Sequence, residues 1–111
     1  MSEYTQEQLV KDLVRIFPGF EREWAMDNED VEFRANSLHS VYMSFLPYLS
    51  TLQPSNQQWK LLAVHLNEAV AAGGHRENAA DTCFLEHLHQ VKLNRLLRPL
   101  LSKEAKGLVR A

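Results

Sequence analysis

Residues 31–52 read VEFRANSLHSVYMSFLPYLSTL. Projected at about 100° per residue, Val31, Ala35, Leu38, Val41, Tyr42, Phe45, Leu46, Leu49 and Leu52 share one broad stripe. Asn36, Ser37, Ser40 and Ser44 lie opposite, and Asp30 is placed to cap the start. Pro47 removes one backbone donor and crowds the turn before it, but the stripe keeps its phase to Leu52. The pattern therefore predicts one long helix kinked near Pro47 rather than two independent ones.

The flanking segments follow the same period. Thr5 with Gln8 forms a capping-box signature ahead of Leu9, Val10, Leu13, Val14, Ile16 and Phe17, and Pro18-Gly19 stops that helix. Phe20 and Trp24, four apart, predict a short second helix before the polar run Asp27-Asn28-Glu29-Asp30. Ser55 with Gln58 opens a further helix whose core face is Trp59, Leu62, Ala63, Leu66, Ala69 and Val70, ending at Gly73-Gly74. From about Arg76 another helix is expected, with Ala80, Cys83, Phe84, Leu88 and Val91 on one side. Leu93, Leu96, Leu97, Leu100 and Leu101 form the last apolar set, bent or ended near Pro99. The polar residues 102–111 read as a tail that frays. Nowhere do β-branched residues alternate between turn signals. The expectation is an all-α fold over residues 1–111, a single-domain antiparallel bundle of roughly four to six helices joined by short loops.

Composition sets the setting. A chain of 111 residues, 45% hydrophobic and 23% charged, is ordinary for a globular domain and large enough to bury a core without staples. The lone Cys83 cannot form an internal disulfide, and the N-terminus lacks the basic and apolar regions of a secretion signal, so the expected location is cytoplasmic. No apolar run spans a bilayer, and no membrane partner is expected. The net charge of −2 is divided: residues 1–56 carry nine acids against four bases, residues 57–111 five against eight. Such a division can attract partners of either sign.

Candidate chemistry is sparse. Cys83 and His87, four apart, would share a helix face as a thiolate–imidazole pair could, but both fall in an apolar stripe, and nothing adjacent supplies an oxyanion hole or orienting acid. His87 and His89 point away from each other on a helix, and His39, His65 and His75 are scattered, so no metal is expected. Gly73-Gly74 is not followed by a Lys-Ser/Thr pair and cradles no phosphate, and no cofactor is expected. The chain reads as a non-enzyme. Lys92, Arg95 and Arg98 recur every third residue and make nucleic acid the alternative partner. A pI near 6.2 and the lack of any aromatic residue after Phe84 weigh against it. Phe33 and Met43, and likewise Leu61 and Val64, fall outside their core stripes. Leu61, Val64 or the Leu93–Leu101 set could support a homodimer. Phe33 beside Asp27, Glu29, Asp30 and Glu32 places an aromatic anchor among carboxylates, a combination suited to a basic protein surface.

The segment Thr82-Cys83-Phe84-Leu85-Glu86-His87-Leu88 resembles that of a family of small bacterial all-helical domains bearing Phe-Leu-Glu-x-Leu. Asn78-Ala79, and Phe17-Pro18-Gly19-Phe20-Glu21 with Trp24, look similar too. Such domains are similar to immunity proteins, which bind and block a cognate bacterial toxin. The resemblance implies a helical bundle and an immunity role. It implies no catalytic residue, and for Glu86, read on the solvent side, it implies at most a contact.

Overall fold

A computed structural model describes residues 4–27 and 38–109, with the side chains of Asp27, His89 and Val91 excepted. Local signals start the helices where they were expected. Thr5 Oγ1 accepts from the Gln8 amide at 3.1 Å, and the Gln8 side chain accepts in return from the Thr5 amide at 2.8 Å, opening α1 (Gln6–Ile16). After the Pro18-Gly19 turn comes α2 (Phe20–Asp27). Gly19 has a role beyond ending a helix: a side chain there would run into the Tyr48 hydroxyl.

The next described helix, α3 (Leu38–Leu49), runs through Pro47 and ends two residues later. Its tip tightens into short turns, with Thr51 and Leu52 bonding back to the Tyr48 and Leu49 carbonyls. The expected earlier part of this helix, including Val31 and Ala35, lies outside the described residues. Ser55 and Gln58 form a second reciprocal capping box and start α4 (Asn56–Ala72). Gln58 also donates to the Ile16 carbonyl at 3.0 Å, so the start of α4 abuts the end of α1. Gly73 and Gly74 follow with φ of 68° and 57°, backbone that disfavours any side chain, and they turn the chain into α5 (Gly74–Cys83).

Two expectations fail beyond this point. The helix expected from Arg76 through Val91 breaks at Phe84, whose φ of −133° is not helical, and continues as a 3-10 helix over Leu85–Val91. Phe84 and Leu85, on either side of the break, are both completely buried. Lys92 then adopts a left-handed φ of 62°, and the chain turns into α6 (Asn94–Leu97) and a 3-10 turn at Arg98–Leu100.

The second failure is the tail. Ser102 Oγ accepts from the Ala105 amide to cap α7 (Lys103–Lys106), and the Ser102 amide donates to Asn67 Oδ1 on α4 at 2.7 Å. Ala105 and Val109 are buried, so residues 102–109 dock instead of fraying. Two small apolar residues within a mostly polar segment suffice, because α4 offers both a surface and a hydrogen-bond acceptor.

All the described regular structure is helical, arranged as a bundle around one buried cluster. At its centre Phe45 meets Phe17, Phe20 and Phe84 at ring separations of 5.5, 5.1 and 5.9 Å, tying α1, α2, α3 and the α5 terminus together. Burying one such ring is worth roughly 1.5–3 kcal/mol. None of the described helices is long and apolar enough to cross a membrane.

Candidate functional site

The apolar face of α1 is broader than the core requires. From Ile16 through Leu9, Leu13 and Phe17 to Val10 and Val14 it spans about 160° by helical projection. Leu9, Leu13 and Phe17 are buried, whereas Val10 and Val14 remain half-exposed on the outer edge. Trp24 of α2 is also half-buried, its ring 6.3 Å from that of Phe20. These three line the largest of the described clefts, about 740 Å³ between α1 and α2, rimmed by Glu7, Lys11, Arg15 and Glu21. Lys11 pairs with Glu7 at 3.5 Å and Arg15 with Asp12 at 3.4 Å, so both basic rim groups already have carboxylates. Over α1 and α2 together five acids face three bases. The trough itself is apolar with a charge-balanced rim, and the acidic excess belongs to the two helices that form it.

The site expected from sequence is only partly within view. Asp27 ends α2, the helix carrying Trp24, while Glu29, Asp30, Glu32 and Phe33 lie outside the described residues. Val10, Val14 and Trp24 entered the sequence reading only as helix-forming apolar positions; the structure packs all three partly buried against the core, along the cleft. Met43, Leu61 and Val64 do stand exposed, as their off-stripe positions suggested. Leu61 and Val64 flank a smaller cleft of about 240 Å³ with Ile16, His65 and Glu68.

Cys83 does not pair with His87 as a regular helix would allow. Its Sγ lies 3.0 Å from His39 Nδ1 on α3, a residue 44 positions away. The His39 ring is further held by the Thr82 hydroxyl at 3.3 Å and the Asn78 amide at 3.4 Å, and it packs edge-on to His75 at 5.6 Å. A thiol beside an imidazole is a possible nucleophile and base. Among the described residues no three His, Cys, Asp or Glu side chains are grouped to hold a metal ion.

A second polar network is buried under α1. The Tyr42 hydroxyl lies 3.2 Å from His65 Nε2. Burial pushes the Tyr42 phenol up, so it stays protonated and donates, which assigns the neutral imidazole proton to Nδ1. Burial lowers the His65 pKa from 6.5 to about 4, with the nearby Arg76 charge a lesser cause. Tyr4 donates to Asp12, and the Arg76 guanidinium sits 4.0 Å from the Tyr4 ring centroid. Tyr42 and His65 thus join α3 to α4, while Tyr4 bridges Asp12 of α1 and Arg76 of α5.

Among the described residues, fold and surface define a helical protein with an apolar trough between α1 and α2 that Trp24 helps to line. Compared with known proteins, the chain matches no family model, no curated protein and no solved structure.

Proposed function

We propose that this chain is a non-catalytic protein-binding module of the immunity type, which neutralises a cognate bacterial toxin in the cytoplasm by direct binding. The observation that carries the reading is the trough between α1 and α2, where Val10, Val14 and Trp24 remain partly accessible on two helices that together carry five acids and three bases. A tryptophan in an apolar depression is the side chain most often found to dominate a protein interface. The acids of α2, with Glu29, Asp30, Glu32 and Phe33 following in sequence, extend the same charge toward a basic partner and would speed its approach. The partner is therefore a protein presenting an apolar side chain among lysines or arginines. The resemblance around Phe84-Leu85-Glu86 supports the immunity role.

The test is co-expression with the product of the adjacent gene. The two proteins should co-purify, and cells should survive the toxin. Trp24→Ala should weaken binding by about tenfold or more, while reversing Asp27, Glu29 and Asp30 should flatten its salt dependence. A pair that neither co-purifies nor protects would end the immunity reading. Unchanged affinity in Trp24→Ala would remove the trough from it.

The exposure of Leu61 and Val64, at 42% and 52%, favours a second reading, a self-associating adaptor. It predicts a mass that rises with protein concentration and returns to the monomer in Leu61→Glu.

A further inference from the structure

The docked tail creates a surface that the linear sequence does not contain. Because Ser102, Ala105 and Val109 hold α7 on α4, Lys106 is brought to Arg95 and Arg98 across a cleft of about 580 Å³. Asn94 and Pro99 complete the lining, so every ionisable group in the cleft is a cation. Glu104 is the only acid after Glu86 in the whole chain, and it is not part of this lining. The ion pairs among the described residues are Lys11–Glu7 and Arg15–Asp12, so none neutralises Arg95, Arg98 or Lys106. Three like charges held together raise the energy of the empty cleft and favour whatever anion enters it.

The chemistry of the donors narrows that anion. Guanidinium groups present parallel N–H donors that match phosphate oxygens two at a time, and an ammonium adds a mobile point charge. Asn94 contributes a neutral amide. No aromatic residue lines the cleft, so nothing there would stack on a base. Its volume is that of a small-molecule site rather than a track for a strand. The overall charge of −2 also opposes a long polyanion. We propose that the cleft of Arg95, Arg98 and Lys106 binds a small ligand through two linked phosphate groups, independently of the trough used for protein docking.

Inorganic pyrophosphate is the probe, titrated by calorimetry into the full chain at fixed ionic strength. Saturable binding with one site is expected, about tenfold tighter than sulfate, because two linked anionic groups can engage all three cations. Arg95→Gln with Arg98→Gln should weaken it by about tenfold or more, and Lys106→Gln by a smaller factor. Both arginines are exposed, so these variants should keep the wild-type circular dichroism. No saturation in the millimolar range, or undiminished binding in the double arginine variant, would overturn the proposal. So would a single-stranded oligonucleotide that binds more tightly than pyrophosphate through the same arginines, since the ligand would then be a polymer.

Discussion

Acidification should unfold this protein partly through one side chain, His65. In the native state the imidazole is 6% exposed, accepts from Tyr42 and has its pKa lowered from 6.5 to about 4 by burial. The unfolded chain therefore takes up a proton on this residue before the folded one does. The stabilisation is fully present above pH 6.5 and is lost as pH falls from there through about 4. At pH 4.5 the unfolded imidazole would be almost wholly protonated and the folded one mostly neutral, which costs roughly 2–3 kcal/mol of stability. That is a large part of a typical small-domain total of about 5–15 kcal/mol. Carboxylates titrate over the lower part of this range as well, so the informative quantity is a difference between two proteins. Urea unfolding of wild type and His65→Leu should be followed at intervals from pH 7.5 to 4.5. At pH 7.5 the variant should be less stable by about 1–3 kcal/mol, because the Tyr42 hydroxyl loses its buried acceptor. The gap should narrow or reverse by roughly 2–3 kcal/mol at pH 4.5, where only the wild-type unfolded chain gains a proton on this residue that the folded state largely refuses. Parallel pH profiles for the two proteins would refute the argument.

Other perturbations test other parts of the structure. Gly19→Ala should destabilise by about 1 kcal/mol, since its methyl group must displace the Tyr48 hydroxyl; the urea midpoint of the additional variant Tyr48→Phe with Gly19→Ala should recover part of the loss. Ala105→Asp places an unpaired carboxylate where none of the side chain is exposed, and should cost about 2–3 kcal/mol or undock α7, seen as faster amide exchange over residues 103–109. Cys83→Ser keeps a hydrogen-bonding partner near His39 and should leave partner binding within about twofold of wild type; loss of toxin protection without loss of binding would instead point to chemistry at the thiol.

What could be read from sequence is what short-range physics controls. The two capping boxes, Thr5 with Gln8 and Ser55 with Gln58, close over three residues, so their bonds need no knowledge of the rest of the molecule. The predicted core face of α4, from Trp59 to Val70, is buried residue for residue, because helical period alone places those side chains together. The all-helical class followed from the same periodicity. His65 was legible only as a scattered histidine; its burial depends on Tyr42 and α1 closing over it.

The two proposed binding surfaces belong to the other category. Whether Val10 and Val14 join the core or floor a trough is settled by where α2 crosses α1, not by their own spacing. The break at Phe84 removes the regular helix that would have brought Cys83 to His87, and packing of α5 against α3 gives the thiol to His39 instead. Lys106 meets Arg95 and Arg98 only because α4 supplies Asn67 and a seat for Ala105. Helix identity is a property of neighbouring residues along the chain. The trough and the cationic cleft are properties of distances between segments, which only the packed molecule defines.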